Sequence, residues 1–155
     1  MNALIDLTDR RILVVGASSG IGKQTAITLS RLGAKLTLAA RSEENLKQAV
    51  SELEGEGHDY FTADVSDMDS VETLIKAVVA KDGPLDGLVY SAGVGTALPL
   101  TQSKPEKVLN TFNVNFFGFF ETVRQATRKG RFNPGMRIVG VSSCASLRGD
   151  KSKAI

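Results

Sequence analysis

A glycine-rich turn near the start of the chain contains the first residues that could bind a ligand. Its glycines are Gly16, Gly20 and Gly22, a spacing that differs from the G-x-G-x-x-G dinucleotide fingerprint in having only one glycine in its first half. Gly16 would allow a tight exit from a strand, Gly20 would leave no Cβ between the backbone and a pyrophosphate, and Gly22 would let a helix pack on the sheet. The N–H groups that begin this helix would face the phosphates, and Ser18 and Ser19 could add hydroxyl donors. The turn therefore predicts a phosphate-binding loop of the dinucleotide type.

The glycine spacing of this turn is also compared with two other structures. A P-loop requires G-x-x-x-x-G-K-[ST], but Ala17 stands where its first glycine belongs and Gln24 follows Lys23. That pattern fails at two positions. An ordinary strand-to-helix turn without any ligand stays open at this point, so the rest of the sequence must decide between them.

The elements that would position a site alternate regularly along the chain. Five largely apolar runs, the first of them rich in β-branched residues, predict strands at residues 12–15, 35–40, 60–63, 85–90 and 137–141. Between them, helical periodicity predicts helices over residues 21–32, 42–54, 66–79 and 105–129, with Ser42 and Ser66 as N-caps. This βαβαβαβαβ order predicts an α/β fold: a doubly wound parallel sheet of the Rossmann type, with helices on both faces, that stops after its fifth strand.

Small or polar residues follow every predicted strand. Besides the glycine turn they are Arg41, Asp64, the run Ser91-Ala92-Gly93 and the pair Ser142-Ser143. Because ligands of such sheets bind at the carboxyl ends of the strands, near the point where the strand order reverses, we expect these residues to surround one nucleotide site.

Composition narrows the class of protein. The 155 residues, 42% apolar and 23% charged, predict a single globular domain over residues 1–155. The net charge of +2 is small and its cations are scattered, which argues against nucleic acid or an anionic membrane as a partner. The lone Cys144, taken as a small buried thiol, suits a reducing compartment, and no signal peptide or transmembrane run is found; we therefore expect a cytoplasmic protein. His58 is expected on a surface loop, and no metal-ligand set is present.

The strand-end motifs together resemble the short-chain dehydrogenase/reductase family, in particular members like the 3-oxoacyl-(acyl-carrier-protein) reductases. GASSGIG at residues 16–22 is similar to the TGxxxGIG cofactor motif, with Val15 in place of threonine, and Asp64-Val65 is similar to the adenine-binding pair. YSAG at residues 90–93 resembles the NNAG motif with both asparagines replaced. The resemblance implies cofactor contacts at Gly16, Ser18, Ser19, Gly20, Ile21, Gly22, Arg41, Asp64, Val65, Ala92 and Gly93.

The resemblance also implies an activity. The family interconverts small-molecule carbonyls and alcohols by hydride transfer from or to a nicotinamide cofactor. Asn115, in NVNFFG, sits where the family has its catalytic-helix asparagine and would hold a water in the proton relay. Ser143, in VSSCAS, matches the catalytic serine that would hydrogen-bond the carbonyl oxygen, with Ser142 as the competing serine.

The family's catalytic Tyr-x-x-x-Lys pair is not found in these 155 residues. Counting from Ser143 puts that tyrosine just past Ile155, and neither Tyr60 nor Tyr90 has a lysine four residues on. We therefore expect the chain to be the N-terminal portion of a longer enzyme and to be inactive alone. A non-catalytic dinucleotide-binding or redox-sensing protein of the same fold is the alternative.

The end of the second strand bears on cofactor choice. An acidic residue there would accept hydrogen bonds from the ribose of NAD, whereas this chain has Arg41. A charge-assisted bond from Arg41 to a 2′-phosphate would contribute about 1.5 to 3 kcal/mol, which favours NADP(H) over NAD(H). The alternative is a solvated charge at a helix start.

The predicted helix at residues 105–129 is rich in phenylalanine. Phe112, Phe116, Phe117, Phe119 and Phe120 are most simply core residues, but the width of the group suggests that one face meets a partner subunit. The resemblance likewise implies a homo-oligomer formed through this helix.

Overall fold

The computed structural model describes residues 5–95 and 98–144, and these form a five-stranded sheet in which every strand pair is parallel. Its strands are β1 (Arg11–Val15), β2 (Lys35–Ala40), β3 (Asp59–Thr62), β4 (Leu85–Tyr90) and β5 (Phe132–Gly140). They lie in the order β3-β2-β1-β4-β5, so the strand order reverses between β1 and β4. The predicted doubly wound parallel sheet is confirmed, and the reversal places the glycine turn at the crevice where such sheets bind ligands.

Helices cover both faces of the sheet. They are α1 (Gly20–Arg31), α2 (Glu43–Ser51), α3 (Met68–Asp82), α4 (Pro105–Phe112) and α5 (Gly118–Ala126), with a short 3₁₀ turn at Leu100–Gln102. Alternation along β1 separates two cores: Ile12 and Val14 pack with the α1 and α2 side, whereas Leu13 and Val15 pack with the α3 and α5 side. Burial of each such aliphatic side chain stabilises the fold by roughly 1.5 to 3 kcal/mol. Among the described residues, no helix is long and apolar enough to cross a membrane.

The two predicted N-caps have different outcomes. The Ser42 hydroxyl accepts the Asn45 N–H at 3.4 Å, which confirms the cap of α2. The cap of α3 is Asp67, whose carboxylate accepts the Asp69 N–H at 3.0 Å, so the prediction of Ser66 is wrong. Ser66 instead donates both its N–H and its hydroxyl to Asp64, because it is part of an Asx-type turn after β3 that ends one residue before the N-cap.

The predicted helix at residues 105–129 is helical as far as Ala126 but not uniform. A π-helical turn at Asn113–Phe117 joins α4 to α5, and within it the Gly118 N–H bonds to the Asn113 carbonyl. Of the phenylalanines expected in the core, only Phe119 packs there. The other four in this segment are exposed, which contradicts the core prediction: Phe112, Phe116, Phe117 and Phe120.

The fifth strand is longer than its predicted bounds of 137–141. It begins at Phe132, and the pairing jumps from Leu85↔Phe132 to Gly87↔Arg137, so two steps along β4 match five along β5. The extra residues include Pro134 and Gly135, the latter at φ +87. In the sequence these residues predict a turn, but in the structure they form an irregularity in the pairing of β4 with β5 and remain part of the strand.

Candidate dinucleotide site

A cavity of about 750 Å³ opens at the carboxyl ends of β1 to β4. Every residue predicted to contact a cofactor lines it except Gly22, and these lining residues are Gly16, Ser18, Ser19, Gly20, Ile21, Arg41, Asp64, Val65, Ala92 and Gly93. The parallel sheet brings them together because all four strands end on the same edge. The volume falls in the range typical of small-molecule and cofactor sites, roughly 300 to 1,000 Å³.

The glycine turn is shaped by close backbone contacts. Gly16 has φ +84, and a Cβ built on it would lie 2.4 Å from the Ala92 backbone N. Gly22 is buried inside the turn, where a Cβ would lie 2.2 Å from the Gly16 carbonyl oxygen. Gly22 therefore lets the start of α1 pack directly against the turn, and it does not line the cavity. Gly20, at φ +54, is exposed with open space around it, so backbone rather than side chain faces the cavity there.

Hydrogen bonds fix this turn to the neighbouring strands. The N–H groups of Gly16 and Ala17 both donate to the Ala39 carbonyl, at 2.8 and 3.2 Å. On the other side, the Ser91 N–H donates to the Val15 carbonyl at 2.8 Å. The turn is thus held rigidly between the ends of β2 and β4.

Two opposite charges lie at one end of the cavity. The Asp64 carboxylate accepts the Ser66 hydroxyl at 2.7 Å and the Ser66 N–H at 2.9 Å. These hydrogen bonds, helped by the nearby charge of Arg41, hold the pKa of the Asp64 carboxyl below its usual value. Arg41 is exposed and makes no hydrogen bond or ion pair with any described residue, so its guanidinium is available to an anion.

Asn115 lies beside the cavity and does not line it. Its Oδ1 accepts the Val94 N–H and its Nδ2 donates to the Val94 carbonyl, both at 2.8 Å. The amide therefore fixes the segment after Gly93, and it keeps one N–H and one lone pair for another partner.

Ser143 follows the carboxyl end of β5. The Tyr90↔Gly140 pair and a 2.8 Å hydrogen bond from the Val141 N–H to the Tyr90 carbonyl keep this end next to that of β4. Ser143 is exposed and is not part of the cavity lining. Cys144 is exposed as well, so the prediction of a buried thiol is wrong.

Sequence reasoning missed several lining residues. Ser42 and Asn45 follow Arg41 at the start of α2, where the S-x-x-N spacing that caps the helix also puts both on the cavity side. Val94 and Val114 adjoin Gly93 and Asn115, but only the folded contacts reveal them. No described group of three or more His, Cys, Asp or Glu side chains could hold a metal ion.

Comparison with known proteins identifies the family. A family model described as short chain dehydrogenase matches residues 10–154, which is nearly the whole chain. The chain belongs to this family. Its resemblance to the short-chain dehydrogenases, first indicated by the strand-end motifs, is thereby confirmed.

Individual relatives cover most of this chain. L-xylulose reductase of Caenorhabditis elegans is 34% identical over 150 residues, covering 96% of this chain and 59% of its own length. The 3-oxoacyl-(acyl-carrier-protein) reductase FabG of Staphylococcus aureus is 32% identical over 145 residues, covering 92% and 59%. A short chain dehydrogenase from Burkholderia cenocepacia, crystallised in complex with NADP, superposes with a TM-score of 0.88 at 30% identity, covering 95% and 60%. The chain thus spans about 59% of the length of these two curated relatives.

Proposed function

We propose that this chain forms the cofactor-binding part of an NADP(H)-dependent oxidoreductase that interconverts a carbonyl and an alcohol. The observation that carries the proposal is the cavity at the strand ends, which is lined jointly by the glycine turn, Arg41, Asp64 and Gly93. Each of these groups matches one part of a phosphorylated dinucleotide, and the order of the strands fixes their sequence along the crevice.

The residues present fit such a cofactor. Exposed backbone at Gly20, with the Ser18 and Ser19 hydroxyls, would hold the pyrophosphate at the start of α1. Asp64 and Val65 would flank the adenine, and Arg41 would bind the 2′-phosphate. When bound, the cofactor supplies or accepts the hydride.

The chain's own residues would orient the substrate. The Ser143 hydroxyl would donate a hydrogen bond to the substrate oxygen, and the remaining N–H or lone pair of the Asn115 amide would hold a water. As the family resemblance implies, the substrate would be a small carbonyl or alcohol compound.

Neither described tyrosine is suited to donate the proton. The Tyr90 hydroxyl is buried and donates to the Val114 carbonyl, and the Tyr60 hydroxyl donates to Glu43. We therefore propose that the 155 residues alone do not reduce ketones. An NADPH-consumption assay with this chain and a simple ketone should give no turnover above the rate without protein, and measurable turnover would contradict this.

Cofactor preference is tested by titrating NADPH and NADH into the wild type and into Arg41→Ala. We expect Arg41→Ala to weaken NADPH binding about ten- to hundredfold and to leave NADH binding unchanged, because only NADPH carries the 2′-phosphate. Arg31→Ala is the matched control, since Arg31 pairs with Glu54 on the surface and lies outside the cavity. Equal weakening of NADPH and NADH binding would show that Arg41 does not bind the 2′-phosphate. A wild type that binds neither cofactor would contradict the proposed function.

We also propose that a second copy of this chain covers the exposed face formed by Leu109, Phe112, Phe116, Phe117 and Phe120. The four rings and the leucine are 46% to 60% exposed and follow one another along α4, the π turn and α5. An exposed apolar surface of this kind marks an interface, and the family resemblance favours self-association.

A further inference from the structure

Tyr90 differs from the residue that the family's motif has at this position, and its side chain does not line the cavity. It ends β4, where the NNAG motif has an asparagine, and its side chain is buried at 2% exposure. The ring packs edge-on against Phe119, with centroids 5.4 Å apart and an interplanar angle of 62°. Its hydroxyl must therefore find a partner inside the protein.

That partner lies in the π turn. In a regular α-helix the Gly118 N–H would donate to the Val114 carbonyl, four residues back. Here the Gly118 N–H donates to the Asn113 carbonyl instead, which takes the usual donor away from Val114. The Tyr90 hydroxyl replaces it, with 2.5 Å between the Tyr90 and Val114 oxygens.

The protonation state of Tyr90 suits this role. Burial raises the pKa of the Tyr90 phenol well above its ordinary value, so the group stays protonated and can donate throughout the physiological range. A buried carbonyl without a donor would be costly, so this bond contributes more to the π turn than an exposed hydrogen bond would.

Gly118 makes room for the phenol. A Cβ built on Gly118 would lie 2.6 Å from the Tyr90 hydroxyl oxygen and 2.5 Å from the Val65 carbonyl oxygen. Real Cβ atoms do not approach other atoms so closely. The tyrosine at the end of β4 and the glycine at the start of α5 therefore fit against each other, next to the π turn.

The turn is connected directly to the cavity wall. Asn115, the residue after Val114, forms two hydrogen bonds with the Val94 backbone. Val94, Gly93 and Ala92 all line the cavity. A chain of contacts thus runs from the Tyr90 hydroxyl through Val114 and Asn115 to this wall.

We propose that Tyr90 is a positioning residue for the cofactor site: its hydroxyl stabilises the π turn that holds Asn115 against Val94, and so sets the wall at residues 92–94. The inference rests on the proposed function, because the wall matters for binding only if the cavity takes a dinucleotide. The Arg41 end of the cavity follows β2, which β1 separates from β4 in the sheet.

The test uses Tyr90→Phe, which removes the hydroxyl alone. We expect the Val94 amide to exchange its hydrogen about two- to tenfold faster relative to Leu38 in β2, because its bond to Asn115 opens more often. NADPH binding should weaken by about two- to tenfold, whereas binding of adenosine 2′,5′-bisphosphate, which lacks the nicotinamide half and would be held by Arg41 and the glycine turn, should be unchanged. A general loss of structure would weaken both ligands.

Two further variants make the result decisive. Tyr60→Phe is the matched control, since it removes a phenol hydroxyl that bonds Glu43 at the surface, and it should change neither measurement. Asn115→Ala removes the two hydrogen bonds to Val94 directly, at an exposed position. If Tyr90 acts through Asn115, the double variant binds NADPH no more weakly than Asn115→Ala alone.

The outcomes that overturn the proposal are distinct from failure of the proposed function. Unchanged Val94 exchange in Tyr90→Phe, unchanged NADPH affinity in Asn115→Ala, or additive losses in the double variant would each overturn the role of Tyr90. If Tyr90→Phe does not fold, the Asn115→Ala titration still decides whether the wall is set from the π turn. A wild type that fails to bind NADPH would overturn the proposed function, while the exchange measurement would still report on the contact between Tyr90 and the turn.

Discussion

Gly16 combines two constraints at a single position. Its φ of +84 lies in the left-handed region, and the backbone of Ala92 leaves no room for a side chain. The first constraint is shared by several glycines of this chain, but the second follows from the approach of the β1 turn to the end of β4. Gly16 is therefore required by the shape of the site as well as by its backbone conformation.

Gly16→Ala should lower the free energy of unfolding by about 3 kcal/mol or more, since left-handed strain and a backbone overlap add together. Gly130→Ala is the matched control, because Gly130 has nearly the same φ, +83, with nothing within 4 Å of a built Cβ. It should cost only the strain, about 1 to 2 kcal/mol. Urea unfolding measures both, and equal losses would show that the contact with Ala92 can relax.

Asp64 should make stability depend on pH in the acidic range. Its folded pKa is lowered from 3.8, mainly by the hydrogen bonds from Ser66, so its contribution is present above pH 3.8 and is lost as the pH falls through the lower folded value. Asp64→Asn should therefore destabilise the protein near neutral pH, and the difference from the wild type should shrink in strong acid.

Urea unfolding at a series of pH values checks this. Asp69→Asn serves as the control for loss of one negative charge, because Asp69 is exposed and its side chain makes no hydrogen bond with a described residue. A difference between wild type and Asp64→Asn that stays constant with pH would contradict the prediction.

At the scale of elements, a buried polar network joins α5 to α3. Gln125 is fully buried, and its Nε2 donates to Glu121 at 2.7 Å and to Glu72 of α3 at 3.0 Å. Its Oε1 accepts from Arg131 at 2.6 Å and from Arg128 at 3.3 Å. All four hydrogen-bonding positions of the amide are used, so the network fixes how α5 sits on α3 and where the chain turns into β5.

Gln125→Leu keeps the volume and removes every one of these bonds. It should lower the free energy of unfolding by about 2 to 4 kcal/mol, because charged partners lose a buried hydrogen-bond partner. Gln48→Leu on the exposed face of α2 is the control and should change stability by roughly 0.5 kcal/mol or less. Chemical denaturation compares the two, and similar values for both would mean that the network contributes no net stability.

At the scale of the whole molecule, the exposed phenylalanine face should control association. We expect the chain to sediment as a dimer or larger oligomer and Phe116→Glu to shift it to monomer, because burial of a charge at the centre of an apolar interface is unfavourable. Leu100→Glu is the control, since Leu100 is equally apolar and 78% exposed but lies before α4. Sedimentation velocity measures the change, and a monomeric wild type would contradict the expectation.

Much of this fold could be predicted because its signals are local. Predominantly apolar runs predicted all five strands, and β2 and β4 have the predicted bounds, since a strand buried on both faces consists mainly of apolar residues. The errors fall where local signals compete: Pro134 and Gly135 suggested a turn within β5, and Ser66 resembled a cap that Asp67 provides. In β5 the pairing with β4 outweighs the local turn preference, whereas before α3 a different local contact, between Ser66 and Asp64, uses the predicted capping residue.

The sequence by itself determined the layered α/β fold and most of the cavity lining, because parallel strands end on one edge and their next residues must meet there. Only the tertiary structure decided how the wall at residues 92–94 is held. The hydrogen bonds between Asn115 and Val94 and from Tyr90 to Val114 join segments more than twenty residues apart. Neither follows from periodicity or spacing, since each depends on a π turn whose bonds shift by one residue to meet a buried phenol.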